Sequence, residues 1–482
     1  MQGQSGISRR DFFGRAGAAT VAGMAALGAR GATPDTRPNI IVLLTDDQRW
    51  DAMGCAGNDI IQTPEMDRLA AEGSRFNAAV CTTPICCASR ASILTGLYSA
   101  SHGIEQFNVP LSPEQWALSY PGMLRQAGYH TAFAGKIGLG GPQPTDQFDT
   151  YMGYPGQGKY FPNDDKPEEH LTSLLGDDLC GFVEGYGKDK PFCMSVSFKA
   201  PHVQDSDPRQ FLYDPALEDL YADVTIPPPD KGDPKWFAEL PEWLQTSEGR
   251  VRWDKRFANE EMYQRSVKGY YRLVTGVDRV IGRLRKTLEA KGIADNTVIL
   301  FTSDHGFYLG ERGLAGKWLL HEESIRAPFL VHDPRANKPG LVHDEIVLNL
   351  DVAPTVMDLA GVTPPANVQG RSVVPLAHGE DPAWRSSCFL EHHFGWERKH
   401  SIPASEGVRT ETAKYIRYLK PEEGREECYN LAADPLEHDN LAGSERCATL
   451  KADWQRWRDQ LAAWKPDPEY AWQDPELTST KG

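Results

Sequence analysis

From Asn39 to Leu44 the chain reads NIIVLL, a nearly unbroken apolar run. Such a run fits a β-strand buried on both faces, and it stops abruptly at TDDQ (45–48). FCMSVSF (192–198) is a second strand of this kind, and TVILFTSDHG (297–306) a third that again runs into acidic and polar residues. Helix signals lie between them. TPEMDRLAAEG (63–73) offers a Thr cap, Pro at the first helical position and a terminal Gly, the punctuation of a short helix. LSYPGMLRQAG followed by YHTAFAGK repeats the order helix, glycine, strand. The longest predicted helix carries Val267, Tyr270, Val274, Val277, Ile281, Leu284 and Leu288 on one stripe, alternately three and four apart. Gly292 is its stop.

Buried strands alternating with helices predict an α/β fold with a large, mostly parallel central sheet flanked by helices. In such sheets ligands gather at the carboxyl ends of the strands, where two strands here end in TDD and SDH. Past about residue 375 the pattern changes. CFLEHH, GVRTETAKYIRYL and ECYNL read as short antiparallel strands, followed by a Trp-rich helix around 447–464. This predicts a smaller C-terminal α+β domain carrying an antiparallel sheet. The Pro-rich segment TIPPPDKGDPKWFAELPEWL (225–244) reads as a surface excursion or lid, and there is no internal repeat.

The N-terminus carries another kind of signal. SRRDFF (8–13) precedes GRAGAATVAGMAALGA, an Ala/Gly-rich apolar run too short to span a bilayer. Paired arginines before a short apolar stretch are the twin-arginine form of a bacterial export signal, with small residues for cleavage between Gly28 and Thr33. The expected organisation is an export signal over 1–33, a large domain over 34–375 and a C-terminal subdomain over 376–482. A periplasmic or secreted protein follows, with the twin-arginine translocase as a partner and no stable membrane association. That translocase carries folded proteins, so any modification is installed before export. A net charge of −16 argues against nucleic acid and anionic membranes. It leaves room for an anionic substrate held by a local cluster of Lys, Arg and His. The nine cysteines show neither CxxC nor zinc-type spacing. Cys428 and Cys447 are a candidate disulfide pair in an oxidising compartment.

The chemistry-bearing residues collect at strand ends. Asp46–Asp47 and Asp304–His305 each follow a predicted strand, and hard divalent cations take several oxygen ligands from convergent loops. One acidic pair alone is commonly a cap or a solvated turn; two in one parallel sheet favour a metal. Lys136 in AGKIGLGG, His202 in FKAPH and Lys317 in ERGLAGK would add positive charge around that metal, as an anionic tetrahedral group requires.

PICCASRASILTG (84–96) sets two adjacent cysteines and an arginine at the start of a predicted helix. CCASRASILTG resembles the signature of the formylglycine-dependent (type I) sulfatases of the alkaline phosphatase superfamily, Cys-x-Pro/Ala-Ser-Arg and then a helix closing in Thr-Gly. Cys86 falls on the modified position and Cys87 on the variable one, followed by Ala88, Ser89, Arg90, Thr95 and Gly96. NIIVLLTDDQRWDAMGCAGN is similar to the family's opening strand and metal pair, and TSDHGFYLGERGLAGK to its second metal segment. EESIRAPFLV, LDVAPTVMDLAG and YNLAADPLEHDNLA are similar to later landmarks, so the resemblance runs from about residue 37 to about 445.

The resemblance implies a sulfatase fold and hydrolysis of a sulfate ester. A thiol is a poor nucleophile for this task, because a thiosulfate intermediate has no easy release. In the family a maturation enzyme oxidises the cysteine to formylglycine (3-oxoalanine), whose hydrate attacks sulfur and then expels sulfate by reforming the aldehyde. By the same resemblance, Asp46, Asp47, Asp304 and His305 with modified Cys86 hold a divalent cation, usually Ca2+. Arg90 holds the diol or the metal's carboxylates, Lys136 and Lys317 bind sulfate, and His202 contacts sulfate and protonates the leaving oxygen. One departure stands out. The family often reads Gly-Lys-x-His, where the histidine helps to deprotonate the diol, and here position 138 is glycine.

Two rival readings stay open. A phosphonate or phosphate monoester hydrolase would use the same fold, since phosphoryl and sulfuryl groups share size and geometry. A catalytically silent sulfoglycan-binding protein is suggested by the missing histidine. A purely structural Cys86–Cys87, paired with Cys81, leaves the acidic pairs and lysines unexplained. HSIPASEGVRTETAKYIRY resembles the C-terminal segment of glycan-directed members. The expected substrate is therefore a sulfated carbohydrate of glycosaminoglycan, algal or mucin type, with aryl sulfates as side substrates.

Overall fold

The computed structural model describes residues 36–473 except 164, 165, 167, 188 and 396–400. The export-signal reading (1–33) lies outside these residues. The central sheet has eight strands: β1 (Asn39–Asp46), β2 (Ser74–Val80), β3 (His130–Lys136), β4 (Thr150–Tyr154), β5 (Phe192–Pro201), β6 (Thr297–Ser303), β9 (Phe329–His332) and β10 (Leu341–Leu348). Between β6 and β9 lies a two-stranded ribbon of β7 (Tyr308–Leu309) and β8 (Ala315–Gly316). The spatial order is β10-β2-β9-β6-β1-β5-β3-β4. All pairings are parallel except those of β9, which runs antiparallel to both β2 and β6.

β1 sits in the middle, and every one of its residues is buried. Its side chains alternate between two cores. Ile41 and Leu43 pack with Met194, Ile299 and Tyr270, whereas Ile40, Val42 and Leu44 pack with Phe133, Leu300 and Val356. This two-sided burial is why the strand shows no polar alternation in sequence. The predicted long helix spans Glu260–Lys291, capped by the Asn259 side chain at one end and by Gly292 at φ 66° at the other. Its whole predicted stripe is buried.

The short helix Pro64–Glu72 has the bounds read from sequence, with Thr63 before it, Pro64 first and Gly73 after it. Thr63 does not cap it; its hydroxyl accepts from the Gly54 amide, and the first helical amides of Glu65 and Met66 donate instead to Asp278 of the long helix. Gly73 is extended rather than left-handed (φ −131°), and a Cβ there would lie 2.3 Å from the Val331 carbonyl. Glycine is needed for close approach to β9, not for turning.

The second sheet is antiparallel, in the order β11 (Ser387–His392), β12 (Ala404–Thr410), β13 (Lys414–Lys420) and β14 (Glu426–Tyr429). The helix Glu445–Ala463 covers it, burying Cys447, Leu450, Trp454, Trp457 and Leu461, again three and four apart. The described residues from Arg37 onward form one compact unit, and the joint between its sheets is ionic. Glu322 pairs with Arg409 (3.0 Å) and Lys414 (3.0 Å), its amide donates to Glu437 (3.0 Å), and His321 meets Glu427 at 2.8 Å. The motifs EESIRAPFLV and YNLAADPLEHDNLA thus meet in space. The Pro-rich segment crosses the surface but is pinned, because buried Lys231 pairs with Glu323 at 2.9 Å. All nine cysteines are free thiols, Cys81, Cys86, Cys87, Cys428 and Cys447 included.

Candidate active site

Four neighbouring strands deliver the polar residues to one edge of the sheet. Asp46 is the last residue of β1 and Lys136 of β3, Asp304 follows β6, and His202 follows β5. Lys317 comes directly after β8. Cys86 opens the wholly buried helix Cys86–Thr95, which ends at left-handed Gly96. No side chain caps that helix start, so its first amides are free to face an anion. Asp47 itself is left-handed (φ 68°), a costly conformation for a non-glycine residue and one that collects at functional sites. The Tyr270 hydroxyl holds it there, donating to the Asp47 carbonyl (2.8 Å) and accepting from the Arg49 amide (2.9 Å).

All nine residues singled out from sequence come together. Lys317 Nζ lies 2.7 Å from Asp47 and 3.6 Å from the Cys86 sulfur, which is 3.9 Å from Asp46. Arg90 is the hub. Its Nε donates to Asp304 (3.0 Å), Nη2 to Asp46 (3.0 Å), and Nη1 to the Lys136 carbonyl (2.7 Å) and to Ser197 Oγ. Lys136 pairs with Asp46. His305 lies 3.3 Å from Asp47 and 3.4 Å from Asp304, and His202 Nε2 lies 3.7 Å from Asp47.

The charges shape one another. Burial alone would raise the Asp46 carboxyl, but Lys136, His202, Arg90 and Lys317 outweigh it and hold it well below the ordinary range. Burial wins at Asp47, raising it against Lys317. The two adjacent thiols separate: burial pushes Cys87 up to about 12, whereas at Cys86 the pull of Lys136 and Lys317 overcomes burial and Asp46 and lowers it. His305 is raised to about 9, with Asp304 overcoming burial. His202 is lowered by burial and by Lys317.

The donor set fits a cation. Ligand atoms of Asp46, Cys86, Asp304 and His305 lie within 4.8 Å of one another, as do those of Asp46, Asp47 and His202. Asp47 Oδ2 and His305 Nε2 are buried without a hydrogen-bond partner, and buried polar atoms are rarely left so. Three carboxylates, Asp46, Asp47 and Asp304, face three cations, Arg90, Lys136 and Lys317.

Position 138, where the chain departs from the family motif, lies against Arg90. Gly138 has φ 73°, and a Cβ there would lie 2.5 Å from Arg90 Cδ. Arg90 fills the space where a side chain at 138 would project. Sequence reasoning missed Ser197 and the pinning hydroxyl of Tyr270. The second had a signal, a phenol within an otherwise aliphatic stripe. Above Cys86 a cavity of about 130 Å³ opens, lined by Phe107, His202, Arg252, Lys317, Trp318 and Phe394 among others.

Comparison with known proteins agrees with this arrangement. The family model Sulfatase matches residues 38–362, and the model for the C-terminal part of N-sulphoglucosamine sulphohydrolase matches 310–463. N-acetylglucosamine-6-O-sulfatase of Bacteroides thetaiotaomicron is 32% identical over 477 residues, covering 86% of this chain and 84% of that protein. The structure of BT4656 with its substrate D-glucosamine-2-N,6-O-disulfate matches with TM-score 0.76 at 29% identity, covering 90% of this chain and 99% of that one. A phosphonate monoester hydrolase of Agrobacterium radiobacter shares the fold at TM-score 0.71 and 21% identity, over 89% and 96% of the two chains. With the strand-end acids, the buried cysteine and these matches in agreement, the chain belongs to the sulfatase family.

Proposed function

We propose that this sulfatase releases sulfate from a sulfated carbohydrate, with residue 86 as the nucleophile after conversion of Cys86 to formylglycine. The observation that carries this reading is the environment of Cys86: a helix start with free amides, Lys317 at 3.6 Å, and a cation-shaped set of donors beside it. A divalent cation, Ca2+ by its preference for oxygen donors, would be held by Asp46, Asp47, Asp304, His305 and residue 86, and would supply positive charge for the nucleophile and the sulfate oxygens.

The chain's own residues do the rest. Arg90 fixes Asp46 and Asp304 in a forked geometry that lysine could not reproduce. Lys136 and Lys317 receive the sulfate oxygens and neutralise the charge that develops there. His202 holds its ring through Nδ1 to the Val203 carbonyl at 2.6 Å, which leaves Nε2 for the substrate. Burial and Lys317 keep the ring neutral in the free protein, so it delivers a proton to the departing alcohol oxygen only once the charge of the bound sulfate has raised it. The carbohydrate assignment is supported by the N-acetylglucosamine-6-O-sulfatase, 32% identical and one of the curated relatives that cover most of both chains. The phosphonate hydrolase resembles this chain at the level of fold only.

Export through the twin-arginine translocase to the periplasm or beyond fits the SRRDFF segment. No helix among the described residues is long and apolar enough to cross a membrane. A formylglycine-generating enzyme acts before that export.

The test is sulfate release from N-acetylglucosamine-6-sulfate, with 4-nitrophenyl sulfate and phenylphosphonate as comparisons. Sulfate release should dominate and should fall at least about 1,000-fold in Cys86→Ala and about 100-fold in Lys317→Ala. Preference for phenylphosphonate, or near-native rates in both variants, would contradict the proposal.

A further inference from the structure

Beyond the sulfate-binding residues, one wall of the cleft is built from a helix face. Glu248, Arg252 and Arg256 lie four apart on the helix Glu248–Arg256, so they share a side. Arg252 Nε donates to Glu248 at 2.8 Å, its Nη1 lies 3.5 Å from Asp205, and its guanidinium sits 4.9 Å above the Trp318 ring. Trp318 follows Lys317 directly and is held at φ 84°, a strained conformation that ties this wall to the catalytic segment. Asp205 is half exposed at the lip, and Arg256, itself fully buried, supports it from behind at 2.7 Å while its Nε bonds Gln210 at 2.9 Å. Burying a guanidinium to steady an exposed carboxylate is costly and adds nothing to sulfate binding. Both arginine contacts fall on Asp205 Oδ1. The same cavity is also lined by apolar rings, Phe107 and Phe394 forming an edge-to-face pair at 5.4 Å.

A cavity lined both by polar groups that donate and accept and by apolar rings matches a pyranose ring: hydroxyls along its edge, C–H groups on its face. A flat aryl group uses only the apolar side. We infer that Asp205, Glu248 and Arg252 form a specificity clamp that reads the hydroxyls of the single sugar ring attached to the scissile sulfate. Asp205 and Glu248 accept hydroxyl hydrogens, Arg252 donates to ring oxygens, and Trp318 and Arg256 position them. This rests on the carbohydrate reading above and adds the residues that select the ring.

The test separates binding from turnover. Calorimetric titration of N-acetylglucosamine-6-sulfate into Ca2+-loaded full-length Cys86→Ser protein gives the reference affinity, and Asp205→Asn and Arg252→Lys are added to that background. Each added substitution should weaken binding about 10-fold or more, because Asp205→Asn removes a charged acceptor and Arg252→Lys removes the planar fork of donors. In the chain with native Cys86, both should lower the ratio of kcat/KM for the sugar sulfate to that for 4-nitrophenyl sulfate by a similar factor. Affinities within about 2-fold of the reference, an unchanged ratio, or no measurable binding to the reference protein overturns the clamp. A chain that binds the sugar in this Asp205- and Arg252-dependent way yet releases no sulfate supports the clamp and contradicts the hydrolase proposal alone.

Discussion

Arg90 and Gly138 are the residues on which the catalytic cluster turns. Arg90 links Asp46, Asp304 and the Lys136 carbonyl in one buried fork, and that fork occupies the space next to position 138. Gly138→Ala places a Cβ against Arg90 and forces an L side chain into the left-handed region, at a cost of about 1–2 kcal/mol. The expected outcome is a lower urea midpoint together with a drop in sulfate release, because the fork must shift. Native activity and stability would show that the space is free. The motif departure at 138 was visible in sequence, but the neighbour it meets was not: Arg90 comes from a different element, forty-eight positions earlier.

At the scale of elements, the sequence was most legible where burial leaves a periodic trace. β1, β5, β6 and the helix Glu260–Lys291 sit where their apolar patterns put them. The bounds of Pro64–Glu72 were legible but its cap was not: Asp278, remote in sequence, takes that role, and local punctuation carries no record of a partner from another helix. The site residues were legible for the same reason as the strands: they stand at strand ends, and the parallel sheet gathers those ends. Ser197, by contrast, is an ordinary serine in a buried strand with nothing in sequence to mark it. The joint around β14 makes an acid-lability prediction. Glu427 accepts from His321 (2.8 Å), Tyr429 (2.9 Å) and Tyr418 (3.1 Å). Burial opposes its ionisation, but His321 and these bonds prevail and lower it from 4.5 to about 2. A carboxyl depressed on folding stabilises above its ordinary value and loses that contribution as pH falls toward the folded value. Urea midpoints should therefore fall between pH 4.5 and about 2, and Glu427→Gln should flatten that part of the profile. An unchanged slope would remove Glu427 from the account.

For the whole molecule, the second sheet is fastened to the catalytic edge by buried charge. Glu322, a few residues beyond Lys317, holds both Arg409 and Lys414. Glu322→Gln leaves Arg409 buried without its carboxylate and should cost about 3 kcal/mol, read as a lower midpoint in urea and as lower sulfate release, since Lys317 and Trp318 lie on the same segment. A loss below about 0.5 kcal/mol would mean that the joint is screened by solvent. The overall charge of −16 coexists with a locally balanced site, so an anionic substrate is drawn by the three cations rather than by the molecule's field. The central proposal is chemical: of two neighbouring thiols in one buried helix turn, only Cys86 faces Lys317 and the acidic cluster, and it alone is proposed to be converted. The most direct test is peptide mass spectrometry across residues 84–96 of exported protein that is active on a sulfate ester. The account predicts an aldehyde in place of the thiol at position 86 and an intact cysteine at 87; an intact thiol at 86 in the active protein would contradict it.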